Sequence, residues 1–227
     1  MAALGDYQTT LFAQGEPAIR ADAVVSRFHL DQHSWIDLSR NWLTGADQLL
    51  VDLASSLRWR CGRRAMYGSL VDDPRLSAAL DLETVDTATV IRDIAEWLDH
   101  RYRETIDSVW VNYYRDGRDS VAWHSDRVGR TQVDPVVAIV SLGGPRRFML
   151  RPIGGGPAQR YLLGSGDLLM MGGACQHAWE HSIPKVASAT PRMSVTLRRR
   201  DGLYDPAEDW ILEPPVDGTE PTAGPAG

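Results

Sequence analysis

The chain has 227 residues, of which 43% are hydrophobic and 24% are charged, a composition typical of a globular protein with a real core. No apolar run is long enough to predict a membrane span, and the length suits one large domain, with or without an N-terminal extension. The net charge of −6 comes from six acids beyond residue 204. The remaining 24 acids balance 24 bases, so charge alone does not define a partner.

The N-terminal part, residues 1–104, is predicted to be an extension with helices that support a core. Residues 1–35 look irregular apart from a short apolar stretch at 23–30. The start lacks a basic segment followed by an apolar block, so no signal peptide is predicted. Cys61 and Cys175 stand alone in the sequence and are interpreted as reduced thiols, which favours a cytoplasmic location.

Two helices are predicted in this part. Residues 44–60 carry leucines at helical spacing after Thr44, a plausible N-cap. Residues 87–103 carry one apolar stripe at the same spacing. The segment RCGRRAMYGSLVDDPR (60–75) lies between them and, being rich in Gly, Arg and turn residues, is predicted to be a loop.

Short apolar runs separated by Gly/Pro turns follow residue 106 and indicate strands. The predicted strands are SVWVNYY (108–114), VAWH (121–124), PVVAIVSL (135–142), RFMLR (147–151), QRYLL (159–163), DLLMM (167–171) and PRMSVTLR (191–198). This spacing is typical of a β-sandwich or barrel. Residues 105–202 are therefore predicted to form the core and residues 203–227 a flexible acidic Pro/Gly-rich tail, the whole chain being one structural domain.

The tripeptide His124-Ser125-Asp126 ends one of these strands. Residues i and i+2 of a strand project from the same face, so an imidazole and a carboxylate could approach one ion. A hydrogen-bonded polar pair at a strand edge is the alternative, because so short a motif recurs by chance. His29 and Asp31 have the same spacing without supporting context and are not assigned a function.

A third ligand could come from QHAWEHSIPK (176–185), where His177 and His181 are both candidates. Two histidines and one carboxylate leave adjacent coordination positions open, as in non-haem Fe(II) oxygenases. A structural zinc site would close four positions, usually with cysteines, and neither cysteine is suitably placed.

The stretch PRMSVTLRR (191–199) alternates polar and apolar residues, and its polar face consists of Arg192, Ser194, Thr196 and Arg198. Arginines that point into a barrel need anionic partners, and a small dicarboxylate would suit their bidentate geometry. The alternative is that this face lies in solvent. Asn112 and Tyr114 share a face of another strand and can each donate a hydrogen bond to a carboxylate.

Taken in order, these motifs resemble the AlkB family of 2-oxoglutarate/Fe(II)-dependent dioxygenases over roughly residues 106–200. The pattern is NxY at 112–114, HxD at 124–126, SLG at 141–143, His181, and RxSxTxR at 192–198. RRAMYG (63–68) is similar to the family's nucleotide-recognition lid. The resemblance implies a β-rich α+β fold, with a double-stranded β-helix (jelly roll) core, N-terminal helices and this lid.

The resemblance also implies roles for individual residues. Fe(II) would be bound by His124, Asp126 and His181, with His177 the less favoured histidine. The distal carboxylate of 2-oxoglutarate would bind Arg192. The other residues implied around the co-substrate are Asn112, Tyr114, Ser194, Thr196 and Arg198, the last of these close to the metal.

The activity implied is oxidative dealkylation of N-alkylated nucleobases in DNA or RNA, with Fe(II), 2-oxoglutarate and O₂, as in alkylation repair. The same chemistry on a small molecule or protein is the alternative, and a non-catalytic jelly-roll binding module is a third hypothesis. Alkylated DNA or RNA is the expected partner, with neither a membrane nor an obligate protein partner indicated.

Such an enzyme must flip a base out of a duplex or act on single strands, which requires aromatic stacking surfaces and cationic contacts. The candidate substrate-binding residues are Arg63, Arg64, Tyr67, Trp123 and Arg127. Family members that repair bases often carry a further acid just after the His-x-Asp motif. This chain has RVGR (127–130) there, so that contact to a base is not predicted.

Overall fold

A computed structural model describes residues 15–66, 69–82, 88–126, 134–200 and 211–212, and the side chains within 15–62, 73–82, 89–126 and 134–200. Among these residues no helix is long and apolar enough to cross a membrane.

The described residues form three helices and fifteen strands. The helices are α1 (Ala46–Ser56), α2 (Ala88–Tyr102) and α3 (Cys175–Ala178). The strands before α2 are β1 (Ala18–Ile19), β2 (Ser26–His29), β3 (Ser34–Ser39), β4 (Leu43–Thr44), β5 (Arg60–Met66) and β6 (Ser69–Leu80). The strands after α2 are β7 (Ser108–Tyr114), β8 (Val121–His124), β9 (Val137–Gly143), β10 (Arg146–Pro152), β11 (Gln159–Leu163), β12 (Leu168–Gly173), β13 (Trp179–Ile183), β14 (Arg192–Arg198) and β15 (Ile211–Leu212).

Two antiparallel sheets face each other and form the predicted jelly roll. The large sheet has the order β15-β5-β6-β7-β14-β9-β12-β3-β2, and the small sheet has the order β11-β10-β13-β8. Ile139 and Leu169 of the large sheet pack with Phe148, Leu150 and Ile183 of the small sheet in one buried cluster. The space between the sheets is therefore partly filled by apolar side chains.

The helices cover the other face of the large sheet. Leu49 and Leu53 of α1 and Ile91 of α2 pack with Val140 and Val195 in a second buried cluster. Strand β9 lies between this layer and the small sheet, so all seven of its residues are buried. Burial on both faces explains why β9 reads as an almost continuous apolar run.

Gly143 ends β9 with a backbone conformation and a packing that require glycine. Its φ is +81°, and a Cβ atom there would lie 2.5 Å from Leu50 Cδ1 and 2.6 Å from Pro191 O. The missing side chain lets α1 and the start of β14 approach the end of β9.

Three predictions about the N-terminal half need correction. Helix α1 begins at Ala46, not Thr44, because Thr44 belongs to β4 and its hydroxyl donates to Glu16 O and Ala18 O. The helix ends at Ser56, not residue 60, because Arg60 is already paired with Ser77 in the β5–β6 hairpin.

The predicted loop at 60–75 forms most of that hairpin, and the predicted irregular segment 1–35 contains β1, β2 and the start of β3. Strand β3 pairs with β12, in which Gly173 lies opposite Ser34, and β6 pairs with β7. These strands are stabilised by pairing with strands that are distant in sequence. The local sequence pattern therefore did not predict them.

Candidate active site

His124, Asp126 and His181 come together between the sheets. His124 ends β8 and is paired directly with His181 on the neighbouring strand β13, and their ring centroids lie 4.2 Å apart. Asp126 follows two residues after His124, with its Oδ2 atom 3.9 Å from His181 Nε2. One nitrogen or oxygen atom from each residue lies within 4.8 Å of the others, a spacing that suits ligands of a single metal ion.

Neighbouring groups orient these side chains. His124 Nδ1 donates a hydrogen bond of 2.8 Å to Ala122 O, which leaves Nε2 with the lone pair that a metal needs. The backbone N–H of Asp126 donates to Oε1 of buried Gln176 at 3.0 Å. Phe148 stacks on His181 at 5.2 Å between ring centroids. Gln176 was not predicted, because no sequence pattern links it to a residue fifty positions earlier.

The electrostatic environment keeps the cluster ready to bind a cation. Burial, reinforced by His124, lowers the pKa of His181 to about 3, so its imidazole is neutral near pH 7. Burial acts to raise the pKa of Asp126, but the two histidines and Arg198 outweigh it and the pKa is lowered. The Arg198 Nη1 atom lies 3.9 Å from Asp126 Oδ1, so Asp126 is an ionised carboxylate.

The lowered pKa of His181 makes the stability of the metal-free protein depend on pH. As pH falls below 6.5, the unfolded chain protonates this histidine while the folded chain does not until about pH 3. We expect the free energy of unfolding to fall by about 1 kcal/mol per pH unit below pH 6 from this residue. Urea unfolding of wild type and His181→Gln between pH 7 and 5 measures it, with exposed His29→Gln as the matched control. If the free energy of unfolding changed equally with pH in wild type and His181→Gln, the lowered pKa of His181 would be contradicted.

A cavity next to the cluster is lined by five of the six residues predicted to surround a dicarboxylate. They are Asn112, Tyr114, Arg192, Ser194 and Thr196. The sixth, Arg198, lies beside Asp126. The polar face of β14 therefore points between the sheets and not into solvent, because Met193, Val195 and Leu197 on the opposite face pack in the helix-side cluster.

Arg192 is the most unusual group in this cavity, because it is a buried cation with no anionic partner among the described residues. Only 1% of it is exposed, and its Nε donates to Ser141 Oγ at 3.2 Å. Nη1 and Nη2 have no hydrogen-bond partner among the described residues. Burial lowers its pKa to about 10, so it stays charged at pH 7. A buried guanidinium with two open donors fits the carboxylate of a small ligand.

The donor set fits the group that the resemblance implies. Two imidazole nitrogens and one carboxylate oxygen suit Fe(II) and leave positions open for further ligands. The open guanidinium of Arg192 lies in the same cavity, where it suits the far carboxylate of 2-oxoglutarate. A metal and a dicarboxylate can therefore be bound side by side.

Several predicted residues are not part of this cavity. Trp123 is half-buried outside the set that lines it, and Arg151 covers its ring at 4.0 Å from the centroid. A base stacked on Trp123 in this pocket is therefore not supported. His177 is exposed on α3, so it does not lie on the strand that carries His181. Asp31, to which no function was assigned, accepts hydrogen bonds from His33 N, Ser34 N and Trp179 Nε1 and so has a structural role.

The side chains of the remaining predicted substrate-binding residues lie outside the described part of the structure. Tyr67 and Arg127 are not described, and Arg63 and Arg64 are described only by their backbone in β5. Their proposed contacts stay predictions.

Arg75 is the polar lining residue of this cavity that was not predicted from the sequence. It lies on β6, within the segment predicted to be a loop, and its Nε donates to Asn112 Oδ1 at 3.0 Å. Arg75 reaches the cavity because β6 pairs with β7, and the sequence around Arg75 does not predict this pairing.

A jelly roll that brings two histidines and a carboxylate to an open cavity has the architecture of non-haem Fe(II) oxygenases. The sequence model of the 2OG-Fe(II) oxygenase superfamily matches residues 55–200 of the chain. The chain belongs to this superfamily. Membership implies Fe(II), 2-oxoglutarate and O₂ as its metal and co-substrates.

Relatives in sequence confirm the AlkB-like resemblance. Mouse alpha-ketoglutarate-dependent dioxygenase alkB homolog 3 is 30% identical over 177 residues, covering 69% of this chain and 62% of that protein. The human homolog 3 is 34% identical over 177 residues, covering 67% of this chain and 61% of that protein. Human DNA oxidative demethylase ALKBH2 is 31% identical over 178 residues, with 68% of each chain covered. The chain thus spans about three fifths of the length of the two alkB homolog 3 proteins.

Solved structures confirm the fold. The structure of OsALKBH1 superposes with a TM-score of 0.54 at 16% identity, covering 77% of this chain and 100% of that chain. A prolyl hydroxylase from Trichoplax adhaerens, solved with a hypoxia inducible factor peptide, superposes with a TM-score of 0.57 at 15% identity, covering 72% and 82%. At these identities the likeness concerns the fold alone.

Proposed function

We propose that this protein is an Fe(II)- and 2-oxoglutarate-dependent dioxygenase that removes alkyl groups from N-alkylated nucleobases in DNA or RNA. The observation that carries the proposal is the His124–Asp126–His181 cluster, within 4.8 Å, sharing a cavity with the open guanidinium of buried Arg192. The similarity to proteins named DNA oxidative demethylase ALKBH2 supports a nucleobase substrate.

Each side chain has a role in this proposal. His124, Asp126 and His181 hold the metal, which with 2-oxoglutarate and O₂ supplies the oxidising chemistry when bound. Arg192 binds the distal carboxylate of 2-oxoglutarate through its open Nη atoms. Arg198 keeps Asp126 ionised from 3.9 Å away.

Four other residues complete the co-substrate site. Asn112 and Tyr114 on β7 donate hydrogen bonds toward 2-oxoglutarate, and Ser194 and Thr196 line the cavity on β14. The adjacent strands β7 and β14 fix these positions, since Tyr114 is paired with Arg192 and Asn112 with Ser194.

Release of the alkyl group follows from the chemistry of the hydroxylated product. Hydroxylation of a carbon attached to a base nitrogen gives a hemiaminal. The hemiaminal then breaks its C–N bond, and the carbon leaves as an aldehyde while the proton returns to the nitrogen of the restored base. Dealkylation therefore needs no separate hydrolytic group among the residues of the pocket.

Succinate formation with defined oligonucleotides tests the proposal. We expect single 1-methyladenine or 3-methylcytosine residues to stimulate succinate formation above the level with the same unmodified oligonucleotide, with one aldehyde released per restored base. Single strands and duplexes should be assayed separately, because a base in a duplex must first be flipped out. Succinate formation that no methylated oligonucleotide stimulates would contradict the nucleobase assignment and favour a small-molecule or protein substrate.

A further inference from the structure

The side-chain amide of Asn112 is held in one orientation by β6. Its Oδ1 atom accepts a hydrogen bond from Arg75 Nε at 3.0 Å and another from Ser77 Oγ at 2.9 Å. Ser77 is paired directly with Asn112 across the two strands. Both bonds fall on the oxygen, so the NH₂ group is what Asn112 has left to offer to the cavity that it lines.

Arg75 decides this orientation, because a guanidinium can only donate. If the amide were turned over, its NH₂ group would face the Arg75 N–H, and two donors would oppose each other in a part-buried place. Ser77 could accommodate either orientation, since a hydroxyl donates and accepts. Arg75 is itself held in place, with 8% of it exposed and its Nη2 atom 3.6 Å from Asp73 Oδ2.

We infer that Arg75 is a positioning residue for 2-oxoglutarate: together with Ser77, it fixes the Asn112 amide so that its NH₂ group donates to the co-substrate. The inference rests on the proposed assignment of the cavity to 2-oxoglutarate. Arg75 acts through Asn112, and its removal lets the amide rotate and present either oxygen or nitrogen to a carboxylate. An oxygen in that place repels the ligand.

A double-mutant cycle on co-substrate binding tests this inference. The affinity of 2-oxoglutarate is measured by calorimetry with Mn(II) in place of Fe(II), which avoids turnover. We expect Arg75→Met, which keeps the aliphatic bulk, to weaken 2-oxoglutarate binding about tenfold, the size of one lost hydrogen bond to a charged group. In an Asn112→Ala background the same change should have little further effect. Mn(II) affinity without 2-oxoglutarate should not fall.

Ser77→Ala supplies a second, milder variant in case Arg75→Met does not fold. It should weaken 2-oxoglutarate binding about twofold to threefold, and only when Asn112 is present. An equal loss from Arg75→Met in both backgrounds would overturn the inference, since Arg75 would then contact the ligand directly.

The two levels of proposal fail in different ways. Equal binding of 2-oxoglutarate by wild type, Arg75→Met and Ser77→Ala would overturn the inference and leave the proposed function standing. A wild-type protein that binds Mn(II) but no 2-oxoglutarate would overturn both.

Discussion

Replacing Asp126 with alanine will abolish the Fe(II)-dependent conversion of 2-oxoglutarate to succinate. Asp126 is the only carboxylate in the described cluster, and it faces His181 Nε2 at 3.9 Å. Its loss leaves two imidazoles, which supply only two of the three protein ligands and no negative charge to hold a divalent ion. Loss of residues that merely support a metal ligand costs 10- to 100-fold, so we expect a fall of more than about 100-fold for the ligand itself. Succinate assays and anaerobic Fe(II) binding measure the effect.

Asp22→Ala is the matched control for this substitution. Asp22 is an exposed acid that pairs with Arg20 at 2.7 Å, remote in sequence from the cluster. Its replacement should leave succinate formation unchanged. If Asp126→Ala formed succinate at the wild-type rate, the assignment of the metal to His124, Asp126 and His181 would be contradicted.

Replacing Arg192 with methionine will separate co-substrate binding from stability. The open Nη atoms of Arg192 are proposed to make two charge-assisted hydrogen bonds to 2-oxoglutarate, so we expect its KM for 2-oxoglutarate to rise about 100-fold. The metal-free variant should melt at a higher temperature than wild type, because a buried cation without an anionic partner is replaced by an apolar side chain of similar length. Loss of function and gain of stability are therefore expected from one change.

Thermal melts with and without 2-oxoglutarate and Mn(II) measure both effects. Wild type should gain stability from the co-substrate and Arg192→Met should not. Arg160→Met, on the exposed side of β11, is the control and should match wild type in both measurements. An unchanged KM for 2-oxoglutarate in Arg192→Met would show that the carboxylate binds elsewhere.

The parts of the site that lie on regular strands could be predicted from the sequence. The alternation in β14 placed Arg192 and Ser194 on one face, and the structure puts that face in the cavity. The spacing of polar residues alone did not exclude that the polar face of β14 lies in solvent. Met193 and Val195 are buried on the helix side, so the polar face lies between the sheets. Period-two patterns are informative here because both faces of β14 are packed and each selects its own type of residue.

The parts that depend on contacts distant in sequence could not be predicted. Arg75 and Gln176 reach Asn112 and Asp126 only because β6 joins β7 and because α3 packs near the end of β8. Strands β2 and β3 were missed because β3 is defined by its pairing with β12, far along the chain. Each of these positions is set by tertiary pairing, for which the local sequence carries no period.

Anaerobic equilibrium dialysis with Fe(II) and radiolabelled 2-oxoglutarate tests the central claim most directly. The shared cavity predicts one Fe(II) and one 2-oxoglutarate bound per chain, with 2-oxoglutarate held more tightly when the metal is present. Asp126→Ala should lose the metal and with it this enhancement. Binding of 2-oxoglutarate that is indifferent to Fe(II), or Fe(II) retained equally by a variant lacking His124, Asp126 and His181, would contradict the account.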